Sequence, residues 1–290
     1  MNLIDSHAHL HFPAFDADVK EVLKRARDNG ISLITVGTKY STSVSGIQFA
    51  DRNEGVWATI GLHPSHVHDH HFIDENEETQ SSASPEHEFD VARYETLVNH
   101  PKVVAIGEFG LDYSRIPDGM DVEMFKLDQR RVARQQLQFA TKHHKPVVIH
   151  CRGGVTADVT GAHDDMRALI AEEIAKGGIE RRGVIHCFTG TAVDAAKYAK
   201  LGFLISITGI VTFGKSVASA VCEIPLEQMM IETDCPHLSP APLRGKRNEP
   251  VNVVLVAQAI ADVKGVSLQE VARVTTTNAV RLFGLPSLLL

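Results

Sequence analysis

Val103-Val104-Ala105-Ile106-Gly107-Glu108-Phe109-Gly110-Leu111-Asp112-Tyr113 opens as a short apolar, β-branched run and breaks at two glycines. The run predicts a buried strand that ends in Gly107-Glu108, with the glycines as its exit. A carboxylate on the last turn of a buried strand is costly unless a cation or hydrogen-bond donors meet it. Glu108 therefore requires a partner, and the rest of the chain supplies histidines.

The strand-then-helix pattern recurs on both sides of this stretch. Apolar strands are predicted near residues 3, 31, 56, 102, 146, 183, 203 and 229, each followed by a helical segment. After the first strand, for example, Val19, Val22, Leu23 and Ala26 recur at helical spacing until Asn29-Gly30 stops them. Eight such units indicate a parallel sheet covered on both sides, and so a single (β/α)8 TIM-like barrel spanning residues 1–290. A doubly wound open sheet is the alternative. The polar residues favour the barrel, because barrel enzymes gather their chemistry at the carboxyl ends of the strands.

One interruption stands out. From about residue 65 to 88 the text turns His-rich, then acidic, then Ser-rich, with no periodicity and little to bury, which predicts a mobile surface insertion. Its histidines, beginning with His66 and His68, are expected to be solvated.

A chain that is 43% hydrophobic and 22% charged has an ordinary globular composition. Its net charge of −7 excludes a broad basic surface, so any nucleic-acid contact must come from a local patch. The opening residues lack a signal-peptide pattern and no apolar stretch is long enough to span a bilayer, so a cytoplasmic protein with no membrane role is expected. Cys151, Cys187, Cys222 and Cys235 have no C-x-x-C spacing and suit a reducing compartment. Nothing in the composition calls for an obligate protein partner. The anomaly is sixteen histidines, which points toward metal or acid–base chemistry.

Those histidines fall at strand ends. His7-Ala8-His9 follows the first strand, and residues two apart in an extended segment point the same way, so both imidazoles can face one ion. Glu108 ends the fourth predicted strand, His150 the fifth, His186 the sixth, and Asp234 the eighth. Singly, each has a bland reading as a satisfied histidine or a capping aspartate. Jointly, four histidines and two carboxylates at one barrel mouth suit zinc, magnesium or manganese. Six ligands exceed the usual set around one zinc, so two divalent ions sharing a bridging carboxylate fit better, with Glu108 as the candidate bridge. His11 has no clear place in this set, and Asp112, beyond Gly110, can be read as shaping its loop alone.

Together these segments resemble the TatD-type metal-dependent deoxyribonucleases, among the amidohydrolase-like barrels. The similarity rests on Asp5-Ser6-His7-Ala8-His9, Gly61-Leu62-His63-Pro64, Gly107 to Tyr113, His150-Cys151-Arg152, His186 to Gly190, Ile231 to Pro236, and Arg247-Asn248-Glu249-Pro250. The resemblance implies hydrolysis of DNA phosphodiester bonds, often from a 3′ end, at a binuclear centre. It assigns His7, His9, Glu108 and Asp234 to one ion, Glu108, His150 and His186 to the other, and His63 to the substrate phosphate. Gly153-Gly154 opens a longer loop than the family's pattern, and the 65–88 insertion is also long. Both lie at the mouth, where substrate is chosen.

The mechanism that follows has a water of lowered pKa attack phosphorus, with Asp234 accepting its proton and Glu108 between the ions. Arg152 offers paired donors to a phosphate oxygen, or forms a structural ion pair. Arg244 and Lys246 lie in the one basic cluster beside a ligand strand and are the candidates for holding the DNA backbone. Their loop can equally be solvated, with Arg247 paired to Glu249 or another acid. An amidohydrolase acting on a C–N or lactone bond is the rival enzyme class, and a metal- or nucleic-acid-binding barrel without turnover is the third reading.

Overall fold

Apolar residues, with Val, Ile and Leu foremost, open the strand segments, and all eight segments form one parallel sheet in chain order. The computed structural model describes residues 2–68, 75–77, 87–114, 116, 119–153 and 161–286. The strands are β1 (Leu3–Ala8), β2 (Ile31–Val36), β3 (Val56–Ile60), β4 (Val103–Asp112), β5 (Val147–Arg152), β6 (Gly183–Ile185), β7 (Leu204–Ile207) and β8 (Met229–Ile231). Ala8 bridges to Cys235, His9 N–H donates to the Cys235 carbonyl (2.8 Å) and Asp234 N–H to that of His7 (2.9 Å). The end of β1 thus meets the segment after β8, and the sheet is a barrel rather than an open, doubly wound one.

The helices on the outside are α1 (Val19–Asp28), α2 (Tyr40–Asp51), α3 (Val91–Glu95), α4 (Val122–Lys142), α5 (Ala162–Ala175), α6 (Ala192–Lys200), α7 (Lys215–Glu223), α8 (Val253–Lys264) and α9 (Leu268–Phe283). No single described helix is long and apolar enough to cross a membrane.

Inside the barrel, Ile4, Ile34, Trp57, Val104, Val148, Val184, Leu204 and Met230 form an apolar layer to which every strand contributes. Ala279, Leu282 and Phe283 of α9 close this layer from below. Side chains two positions apart on a strand face the same side. Ile4 is therefore followed by Ser6, Val148 by His150, Val184 by His186, Leu204 by Ser206 and Met230 by Glu232. An apolar floor carries a polar layer, and that layer is the base of the site.

Two expectations are corrected. β4 does not end at Glu108 but runs on to Asp112 through a shift of register against β5. Its glycines serve close approach rather than exit. A Cβ on Gly107 would lie 2.5 Å from the Val148 carbonyl oxygen, and one on Gly110 would collide with that of His150; both have positive φ, 150° and 153°. Asp112 consequently belongs to the same strand as Glu108.

The second correction concerns the insertion, of which residues 69–74 and 78–86 lie outside the described residues. Among its described residues, His66, His68 and Glu77 are anchored, not solvated. His66 Nε2 is 3.1 Å from Glu77 Oε1, the Thr38 hydroxyl donates to the same oxygen, and the His68 ring stacks on Phe125 with centroids 5.0 Å apart. Those contacts hold Glu77 down at about 2, because His66 and Thr38 outweigh its burial. The 154–160 stretch of the second long loop also lies outside the described residues.

Candidate metal centre

His7, His9, Glu108, His150, His186 and Asp234 converge at the carboxyl mouth of the barrel. Glu108 is 4% exposed and sits at the centre of the group. Its Oε2 lies 3.2 Å from His7 Nε2, and its Oε1 lies 2.8 Å from His186 Nε2 and 3.0 Å from His150 Nδ1. Asp234 Oδ1 is 3.5 Å from His9 Nε2 and 3.7 Å from His7 Nε2. Asp234 adopts φ 57°, a left-handed turn that aspartate tolerates better than most residues.

The ring orientations are set from behind. His9 Nδ1 donates to the Val36 carbonyl at 2.8 Å, which turns Nε2 to the centre and to Asp234. His150 and His186 each turn their second nitrogen to another carboxylate, Asp112 Oδ2 (3.1 Å) and Glu232 Oε1 (3.2 Å) respectively. Neither buried nitrogen of His7 makes a hydrogen bond among the described residues. A fully buried imidazole with Nδ1 unbonded and Nε2 meeting carboxylates without a hydrogen bond fits a metal ligand better than a structural histidine.

Electrostatics point the same way. Burial raises the cost of ionising Glu108, yet His186, His63 and His7 outweigh it and hold the carboxyl well below its usual range. Asp234 is likewise held low against burial by its hydrogen bond with His9 and by His186. His186 moves well above its ordinary value: burial opposes the charge, and Glu108 and Glu232 overcome it. Burial drives His7 down and His63 to about 3. Imidazoles and ionised carboxylates packed this closely out of water form a donor set in which a divalent cation can take the place of the imidazole protons. Three ligand groupings are compact enough to hold an ion: His7, His9 and Glu108; His63, Glu108 and His150; and His7, His186 and Glu232.

The remaining predicted residues occupy the rim. His63 Nε2 lies 3.5 Å from Glu108 Oε1, and its Nδ1 accepts the Ser65 N–H at 3.1 Å. Neutral His63 therefore points an N–H donor inward. Arg152, at the end of β5, has Nη1 3.7 Å from Asp112 Oδ2 and a side chain 44% exposed. The Arg244 guanidinium lies over the Phe213 ring, 4.0 Å from its centroid, and Lys246 is exposed. Arg247 is committed to Asp18, with bonds of 2.8 and 2.6 Å, and stands 3.5 Å from Glu249. His11 is tied to the Thr35 hydroxyl at 2.7 Å, outside the donor set. Three carboxylates went unassigned in the sequence: Asp5, Asp112 and Glu232. Glu232 precedes Asp234 by two residues, which is the signal that places it on the same side of the chain, whereas Asp5 turns to the Thr233 N–H and hydroxyl.

Fold and donor set define a TIM-barrel protein whose mouth is built to ligate metal. The sequence profile of the family described as TatD related DNase matches residues 4–284, and the chain belongs to that family. It is 37% identical over 284 residues to YabD of Bacillus subtilis strain 168, covering 97% of this chain and 98% of the relative. It is 32% identical to YcfH of Escherichia coli K12, covering 98% and 96%. Both relatives are named uncharacterized metal-dependent hydrolases, and this protein is a metal-dependent hydrolase. The solved structure of YjjV, a TatD homologue from E. coli K12, superposes with a TM-score of 0.80 at 24% identity over 98% of both chains, a likeness of fold.

Proposed function

We propose that this protein hydrolyses phosphodiester bonds in DNA, working from a 3′ end, with two divalent ions sharing Glu108. The carrying observation is the division of Glu108: Oε2 faces His7, on the side of His9 and Asp234, while Oε1 faces His150 and His186. A carboxylate with one oxygen toward each of two donor groups suits a bridge. Zinc, magnesium or manganese bound there would supply Lewis acidity and a water of lowered pKa.

The chain's own residues do the rest. Asp234 is the more exposed of the two ligating carboxylates, with its side chain 15% exposed against 5% for Glu108, so it is the one placed to take the attacking water's proton. His63 directs its Nε2–H toward the phosphate oxygens, since Ser65 occupies its other nitrogen. Arg152 at the rim reaches the phosphate or remains with Asp112. Arg244 and Lys246 hold the DNA backbone as a local basic patch on an acidic protein. The family's name supports DNA as the substrate, and four free thiols suit a cytoplasmic location.

The test is an assay of chelated protein, with each divalent ion restored in turn, on single- and double-stranded DNA, RNA and a simple phosphodiester, beside Glu108→Ala. Ion-dependent DNA cleavage that Glu108→Ala abolishes is expected. Equal cleavage by that variant refutes the mechanism.

A further inference from the structure

Two loops meet at the rim on the side of the mouth that carries Asp234. One follows β7 and carries Phe213; the other follows β8 and carries Arg244 and Lys246. Both leave the carboxyl ends of their strands, the face on which the centre opens. Each is fixed to its surroundings. The Thr212 hydroxyl accepts the Ala241 N–H at 2.8 Å and donates to the Gly209 carbonyl at 2.6 Å, and the Ser239 hydroxyl donates to the Lys246 carbonyl at 2.5 Å. A Cβ on Gly209 would lie 2.6 Å from the Leu238 carbonyl oxygen, so the two backbones touch there.

Phe213 is 37% exposed, and the Arg244 guanidinium lies over its ring. An exposed phenylalanine by itself is ordinary. A second stack in the same molecule shows what is different here. Arg247 lies over Phe15, 4.5 Å from the centroid, but that ring is fully buried and the guanidinium is committed to Asp18. That stack staples the fold. Among the described residues, the side chain of Arg244 makes no hydrogen bond or ion pair, and neither do those of exposed Lys246 and Lys215. A solvated lysine needs no partner, yet a guanidinium laid flat on an exposed ring has given up water on one face with no acid to hold it there. A plane backed by a ring and flanked by cations, on a protein of net charge −7, complements a ligand with a flat face and several negative charges.

We propose that Phe213 and Arg244 form a stacking platform for a nucleobase of the strand that enters the centre. The platform rests on the DNA reading of the site and divides the work of its basic loop. The base lies on the outer face of the guanidinium, whose inner face Phe213 sets, while the guanidinium edge and the Lys246 ammonium are left for the neighbouring phosphates. Every base has such a face, so the platform reads no sequence.

The test uses the metal-loaded protein and oligodeoxynucleotides in which one abasic nucleotide is moved along the strand, with KM taken from initial rates. One abasic position should raise the parent's KM about fivefold or more, the lower end of what base stacking is worth. Phe213→Ala should raise KM by a similar factor on the intact strand and show no further rise at that abasic position. Phe213→Trp should restore the sensitivity. Arg244→Lys, which keeps the charge without the plane, should lose it while keeping the salt dependence. If Phe213→Ala does not fold, Phe213→Leu, which fills the space without a ring, decides in its place. The platform is overturned if no abasic position affects the parent, if the penalties of Phe213→Ala and the abasic nucleotide multiply, or if Phe213→Leu keeps full sensitivity. Any of these in a parent that cleaves DNA removes the platform alone, whereas a parent that cleaves no DNA removes the substrate reading and the platform with it.

Discussion

Asn248 is fully buried and makes four side-chain hydrogen bonds. Its Nδ2 donates to the carbonyls of Thr233 (2.9 Å) and His237 (2.8 Å), and its Oδ1 accepts from Glu249 N–H (3.0 Å) and Asn252 Nδ2 (2.9 Å). One amide thereby clamps both ends of the segment that carries Asp234. In Asn248→Ala the buried Thr233 carbonyl and the half-buried His237 carbonyl lose these donors, at about 1–3 kcal/mol each, less what a water admitted to the small cavity restores. A net loss of about 3 kcal/mol is expected, read as a lower urea midpoint in chelated protein with an unchanged slope. With the segment unclamped, Asp234 is no longer held to the centre, and metal affinity should fall about tenfold. Asn252→Ala is the control, since it removes only one of the four bonds and should lose about 1 kcal/mol. If Asn248→Ala stays within about 0.5 kcal/mol of the parent and binds metal equally well, the clamp is not what holds Asp234.

Acidity should act on the metal-free and metal-bound forms in different ways. His186 stands well above 6.5 in the fold, so its contribution to metal-free stability is complete below 6.5 and lost as pH rises through the folded value. Glu108 stands well below 4.5, so its contribution is present above 4.5 and lost only in stronger acid. Chelated protein should therefore melt lower on the alkaline side, zinc should remove that decline, and apparent zinc affinity should rise with pH as His186 gives up its proton; calorimetry across pH would show an unchanged affinity if the pair were irrelevant. Gly110→Ala should destabilise by at least about 1–3 kcal/mol and disturb His150, seen as a lower melting temperature with weaker metal binding; a parental melting curve would deny the close approach. Replacing Arg244 and Lys246 by alanine should weaken DNA binding and flatten its logarithmic salt dependence by about 0.7–0.9 for each phosphate left without its cation. An unchanged slope would remove that loop from the interface.

The barrel was legible because its strands are short apolar runs with helices between them, and helical periodicity survives in single elements such as Val19–Asp28, which ends at the Asn29-Gly30 stop that the sequence predicts. What misled was local. Gly107 and Gly110 carry the composition of a strand exit, and nothing in one segment shows that a neighbouring carbonyl needs the space their side chains would fill. Within the insertion His66 and Glu77 misled for a related reason: they look solvated until Glu77 meets His66 and Thr38 across the chain.

The convergence of the candidate centre was legible for a different reason than the fold. Candidate ligands at strand ends recur at strand–helix intervals, so His7, His9, Glu108, His150, His186 and Asp234 can be placed at one mouth before their neighbours are known. Asp112 and Glu232 could not, because their role lies in what stands behind a ring and not in where a strand ends. Yet the apolar floor predicts such residues in kind. Once Met230 is fixed in the barrel interior, Glu232 must face the same way, directly beneath the mouth, and a carboxylate there is tolerated only if donors saturate it. Ser6, the Cys187 amide and His186 are those donors. Glu108, in the stretch from which the fold itself is read, is met instead by the rings of His7, His63, His150 and His186, the surrounding on which the proposal of a bridging role rests.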